Sequence, residues 1–233
     1  MTFQLDSVVP WGRSFDEYVS MFSLTDTDLQ SRILGCGDGP ASFNGILAGR
    51  NGNIVSCDPL YRFSAEEIRS RISDTAATIG RELAENTDEF VWTHFDSVEA
   101  VIQTRMSAME QFLLDFSSGK RAGRYIDASL PQLPFLDDAF DLALCSHFLF
   151  LYSEQHDLGF HVRSIRELSR VAAEVRIFPL VELDATPSRH LQPVISDLES
   201  FGLQCEIVRV PYEFQIGSAR MLVVSRVGSV PNA

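Results

Sequence analysis

The residues best placed to do chemistry lie early in the chain, in Ile33-Leu34-Gly35-Cys36-Gly37-Asp38-Gly39-Pro40. A β-rich run enters glycines at 35, 37 and 39, and a helix-like run follows. Glycine lets backbone turn tightly and approach a ligand with no Cβ between them. The free amides of the next helical turn face whatever the loop holds, and Pro40 suits that turn because its missing amide is not needed there. Asp58 closes the next β-rich run, 21 residues beyond Gly37. A carboxylate at that spacing accepts hydrogen bonds from both hydroxyls of a ribose. The plainer alternative is that Asp58-Pro59 only ends a strand. Taken with the loop, the pattern predicts a nucleoside-cofactor site on Gly35, Cys36, Gly37, Asp38, Gly39, Asp58 and Pro59.

Such a loop works only at the edge of a sheet. Short β-rich runs alternate with helix-like ones, which predicts an α/β fold with a mostly parallel sheet. Strands are expected at 32–35, 53–58, 125–128, 140–145, 174–178, 204–210 and 220–226, and helices at about 40–48, 157–171 and 189–201. The last two strands have only a short link, so they are expected to run antiparallel. Residues 59–124 far exceed a single crossover. Two helices are expected there. One opens on the capping-box pattern Ser64-Ala65-Glu66-Glu67 with a stripe of Ile68, Ile72, Ile79 and Leu83. The other opens on Asp96-Ser97-Val98-Glu99, with Val98, Ile102, Met106, Met109, Leu113 and Phe116 as its stripe. The expected organisation is one domain over 1–233, with an N-terminal helical segment at 1–30 and a helical insertion at 62–120. That insertion is read either as a cap on the acceptor side or as extra helix packed on a sheet face.

Composition narrows the functions. The chain has 233 residues, 45% hydrophobic and 22% charged, as in a folded globular protein rather than a disordered one. Asp and Glu outnumber Lys and Arg 32 to 19, so the surface repels phosphate backbones and anionic membranes. No nucleic-acid partner and no membrane are therefore expected. The four cysteines are widely spaced, neither a disulfide framework nor a zinc site, and no metal is expected. With no basic-then-apolar leader and no ~20-residue apolar run, the expected location is cytoplasmic.

The loop resembles the first motif of class I S-adenosylmethionine-dependent methyltransferases, Gly-x-Gly-x-Gly. Leu133-Pro134-Phe135-Leu136-Asp137-Asp138-Ala139-Phe140-Asp141-Leu142 is similar to that family's run into its fourth strand, and the ordered resemblance covers about 31–178. It implies a Rossmann-like, doubly wound, mostly parallel seven-stranded sheet with an antiparallel last strand. S-adenosyl-L-methionine is the implied cofactor. There are departures. The acid usual two places before the first glycine is Ile33, and the adenine contact after the third strand is either Asp127 or Ser129. Leu130 and Cys145 are the remaining cofactor positions the resemblance implies. A dinucleotide loop has glycine where Pro40 stands, which argues against NAD.

His147 directly follows the fourth strand, where ligands of open α/β sheets sit, and imidazole is a base near neutral pH. It is the candidate catalytic residue, weighed against a histidine merely bonded in the turn. Arg13, in Trp11-Gly12-Arg13-Ser14-Phe15-Asp16-Glu17-Tyr18, is a candidate partner for the methionine carboxylate, with Tyr18 beside it. Trp92, His94, Phe148, Phe150 and Tyr152 are candidates for an apolar acceptor pocket. The cysteines at strand ends read as small apolar fillers. The expected function is methyl transfer to a small molecule. The alternative is a non-catalytic S-adenosylmethionine-binding sensor or partner subunit.

Overall fold

The computed structural model describes residues 9–226; the first eight residues of the expected N-terminal segment lie outside them. Seven strands, β1 (Arg32–Cys36), β2 (Asn53–Cys57), β3 (Tyr125–Ile126), β4 (Phe140–Ser146), β5 (Ala172–Phe178), β6 (Leu203–Arg209) and β7 (Arg220–Arg226), form one sheet in the order β3-β2-β1-β4-β5-β7-β6. β3, β2, β1, β4 and β5 are mutually parallel, and β7 is antiparallel to both β5 and β6. This is the Rossmann-like fold expected from the sequence. Cys36 of β1 pairs in register with Cys57 of β2 and with Cys145 of β4. The loops after these strands therefore leave the sheet side by side, and they carry Gly37, Asp58 and His147.

The helices are α1 (Phe15–Met21), α2 (Asp26–Leu29), α3 (Phe43–Gly49), α4 (Ala65–Glu85), α5 (Val98–Arg121), α6 (Leu158–Val171) and α7 (Leu191–Ser200). They cover both sheet faces because the central strands are apolar on both, as a parallel sheet requires. Ile33, Leu142 and Leu144 face a cluster with Tyr18, Phe22, Phe43 and Leu47. Leu34, Ala143 and Val175 face Ile165, Leu168, Val194 and Leu198. Among the described residues no helix is long and apolar enough to cross a membrane.

Ser64 caps α4, with Glu67 closing the box, and Ile68, Ile72, Ile79 and Leu83 are buried as expected. Three local expectations shift. α3 begins at Phe43, so Pro40 lies in the turn before it. The cause is the N-terminal segment, which crosses this turn: the Ser42 N–H donates to the Arg13 carbonyl, and a Cβ on Gly12 would lie 2.2 Å from the Pro40 oxygen. α5 is capped by Ser97 rather than Asp96, through a bond from the Ala100 N–H. Its most buried positions are Val101, Arg105, Ala108, Met109, Phe112, Leu113 and Phe116 rather than the single stripe from Val98. α5 packs on α4 on one side and on α3 and β3 on another, so it needs two apolar faces.

Candidate functional site

Two cavities open at the carboxyl ends of the parallel strands. The larger, about 540 Å³, falls within the roughly 300–1,000 Å³ that small-molecule sites occupy. Arg13, Cys36, Gly37, Asp38, Gly39, Asp58, Pro59, Ser129, Leu130 and His147 line it, with Tyr18 and Phe148. Gly35 and Cys145 do not. Cys145 is buried in the core near the end of the central strand β4, and Gly35 is covered by the side chain of Asp38. Asp127 is half-exposed, 3.7 Å from Arg62, and Ser129 rather than Asp127 faces the cavity.

The loop is built around Asp38. Its carboxylate, buried, accepts from the Tyr18 hydroxyl at 2.9 Å and from Ser56 Oγ at 2.6 Å. A Cβ on Gly35 would lie 1.7 Å from Asp38 Oδ2, so residue 35 must be glycine to make room for the acid. Burial raises its pKa to about 6, against the bonds from Ser56 and Tyr18 that lower it. Gly37 and Gly39 have φ of 69° and 53°, the left-handed region that glycine enters freely. A Cβ on Gly37 would press on the Phe148 ring at 3.2 Å, while one on Gly39 would meet open space.

Asp58 holds the other wall. Its Oδ2 accepts from the Gly39 N–H at 2.9 Å and its Oδ1 from the Leu60 N–H at 2.7 Å. Each oxygen keeps a lone pair for a ligand hydroxyl. Burial raises the Asp58 pKa, partly offset by these two amides. The Tyr61 hydroxyl donates to the Gly39 carbonyl at 2.8 Å and locks the end of the loop.

The second cavity, about 90 Å³, adjoins the first: Val9, Trp11, Arg13 and His147 line both. Its walls are Ile79 and Leu83 of α4, Val101 and Arg105 of α5, Phe90 between them, Leu151 and Tyr152 after β4, and Tyr212 and Phe214 before β7. Of the expected acceptor aromatics, Tyr152 is here and Phe148 is in the larger cavity. Phe150 is fully buried in the core, His94 stacks on Tyr212, and Trp92 packs on Phe90 and Phe214. Sequence reading missed Arg105, Tyr212 and Phe214.

His147 stands at the junction with φ 50°, its N–H donating to the Phe178 carbonyl at 2.7 Å. Its Nδ1 is 2.9 Å from Ser146 Oγ. Burial and the neighbouring Arg13 charge hold its pKa well below the usual value, so it is neutral at physiological pH. The thiols near it are not nucleophiles. Cys36 is pushed up by its bond with Cys57 and by burial, and Cys145 by burial.

A sheet of this order, with a glycine loop after β1 and an acid closing β2, defines the fold class to which the class I S-adenosylmethionine-dependent methyltransferases belong, as the sequence resemblance implied. The chain belongs to one family with an uncharacterized protein of Methanocaldococcus jannaschii, MJ0045, to which it is 31% identical over 223 residues, 95% of this chain and 98% of that one. No family model matches it. Similar solved structures include an S-adenosylmethionine-dependent methyltransferase from Aquifex aeolicus (14% identity, 90% of this chain and 87% of that one, TM-score 0.43). Another is a putative methyltransferase of this kind from Methanococcus maripaludis (11%, 91% and 83%, 0.46). A third is magnesium protoporphyrin IX methyltransferase from Synechocystis PCC 6803 with bound cofactor (14%, 91% and 77%, 0.44).

Proposed function

We propose that this protein binds S-adenosylmethionine in the larger cavity and transfers its methyl group to a small molecule held in the smaller one. The observation that carries the reading is the pair of adjoining cavities, one against a glycine loop and two acids, the other walled mainly by apolar side chains, with His147, Arg13, Trp11 and Val9 at their junction. The larger cavity suits the cofactor on its own terms. Arg13 Nε is buried without an acceptor and matches a ligand carboxylate, and Asp38 matches a ligand cation. Asp58 has lone pairs left for ribose hydroxyls. Arg13, Cys36, Gly37, Asp38, Gly39, Asp58, Pro59, Ser129 and Leu130 would hold it.

When bound, S-adenosylmethionine supplies a methyl group made electrophilic by its sulfonium sulfur. The chain's part is to place the acceptor and keep water out, and orientation alone supplies several kcal/mol of a barrier. Residues of the strap 9–13, α4, α5 and the β6–β7 link line the smaller cavity, which supports the cap role proposed for 62–120. His147 sits in a strained backbone conformation at the junction, as functional residues often do. The neutral ring, paired through Nδ1 with Ser146 Oγ, offers a hydrogen-bonding group at the junction that orients the acceptor, and its depressed pKa makes it a weak base.

Calorimetry with S-adenosylhomocysteine, followed by turnover against small-molecule acceptors, tests the reading. Micromolar binding and product release are the expected outcomes. Binding without turnover on any acceptor would favour the sensor, and no binding would refute the site.

A further inference from the structure

Arg105 is 1% exposed and lies on the buried face of α5 among apolar residues. Its Nη2 is 2.8 Å from Glu17 Oε1 and 3.2 Å from the Tyr212 hydroxyl. Its Nε and Nη1 are buried with no acceptor, and both belong to a side chain that lines the smaller cavity. A guanidinium does not shed its proton, so these N–H groups remain donors. Leaving such groups unsatisfied in a buried site is costly. Glu17 pairs with Nη2 alone, and its oxygens also take bonds from the Ser14 N–H, Ser14 Oγ and the Tyr212 hydroxyl.

No group lining the cavity bonds Nε or Nη1 of Arg105. The Gln215 amide donates to the carbonyls of Glu182 and Leu183, and Ser218 Oγ donates to that of Gln215. The charged side chains facing this space are Arg13, Arg105 and, behind Tyr212, Glu17, and His147 is neutral. Glu17 offsets Arg105 and a cofactor carboxylate would offset Arg13, so the call for a further acceptor comes from the two unpaired N–H groups of Arg105 rather than from net charge. Ile79, Leu83, Phe90, Val101 and Phe214 offer that anion's body only apolar contact. A cavity of ~150 Å³ takes benzene, so 90 Å³ takes a carboxylate with a short apolar stem.

We propose that the methyl acceptor is a small monocarboxylate with a short apolar body, whose carboxylate docks on Arg105 and whose other end carries the hydroxyl or amine that takes the methyl and gives up its proton to solvent. The carboxylate is a handle. Arg105 lines only the smaller cavity, so the other end of the molecule is left for the junction at His147. The proposal rests on the methyltransferase reading, and the test separates the two.

The probes are acetate and propanoate, each compared with its neutral alcohol, ethanol and 1-propanol. Binding is read by calorimetry and thermal shift, with and without S-adenosylhomocysteine. The parent is expected to bind a carboxylate at least tenfold more tightly than its alcohol. Arg105→Met alone strands Glu17 and risks misfolding, so the decisive variant is Arg105→Met with Glu17→Gln, which removes both charges. That variant is expected to lose at least tenfold in carboxylate affinity, with binding of S-adenosylhomocysteine reporting that it is folded. Equal binding of acid and alcohol by the parent, or undiminished carboxylate binding by the double variant, overturns the proposal. Carboxylate binding that depends on Arg105 in a protein that ignores S-adenosylhomocysteine would keep the anion site and sink the methyltransferase reading instead.

Discussion

Gly35→Ala tests whether the loop is built around the Asp38 carboxylate. Gly35 lies within β1 at an ordinary φ, so its backbone accepts alanine. The obstacle is Asp38, with Oδ2 at 1.7 Å and Cγ at 2.5 Å from the new Cβ. The carboxylate must swing away, and doing so breaks its bonds from Tyr18 and Ser56. Hydrogen bonds to a charged group contribute about 1.5–3 kcal/mol each, so the expected loss is about 3 kcal/mol or more. Asp38→Ala also destabilises, by stranding two hydroxyls, but it removes the obstacle. In that background Gly35→Ala should cost under about 0.5 kcal/mol. Urea denaturation of the four proteins gives the coupling energy, expected at about 2–3 kcal/mol, since residues in contact are strongly non-additive. Additive effects would show that Gly35 is required for some reason other than Asp38.

Three further outcomes are expected. Asp58→Ala should weaken S-adenosylhomocysteine binding at least tenfold in calorimetry and lower stability by about 1–3 kcal/mol, because the Gly39 and Leu60 amides lose their acceptor along with the ligand; unchanged affinity would remove Asp58 from the site. Asp38 titrates near pH 6, so the affinity for cationic S-adenosylmethionine should fall as pH drops from 7.5 to 5, and Asp38→Asn should flatten that dependence. The folded-state pKa of His147 is depressed, so its contribution to stability is present above about pH 6.5 and is lost as pH falls below it, at up to about 1.4 kcal/mol per pH unit; His147→Gln should reduce that slope in denaturation curves taken between pH 5 and 7, and an unaltered slope would contradict the burial of the imidazole.

The sheet and the loop were legible because both are written in local pattern. β-rich runs give the strands, and the glycines and the acid 21 residues on give the cofactor side. Arg105 was not legible for a physical reason. α5 is covered on two sides, so its apolar residues do not form one stripe, and the reading from Val98 to Phe116 followed the flank of the buried face at its N-terminal half, where Val98, Ile102 and Met106 are only partly buried. Val101, Arg105, Ala108 and Phe112, at steps of four, three and four, carry the signal: an arginine in register with an apolar face. Tyr212 and Phe214 lie in what reads as a plain link between two strands, and only the folded chain brings that link against α5. The role of Asp38 was also hidden, since a loop acid does not announce that it folds back over the strand before it.

Glu17 sits near one end of the chain and its partner Tyr212 near the other, 195 positions apart. At ~5–20 residues per second of synthesis, roughly 10–40 seconds separate their appearance at the ribosome. Through that interval the segment bearing Arg13, Glu17 and Tyr18 has been made but lacks the tyrosine that seals it. The site is thus the last thing to be completed although its first residues are the earliest made. A nascent chain halted before the final two strands would own the glycine loop and Asp58, yet lack the wall that Tyr212 and Phe214 give the smaller cavity beside them.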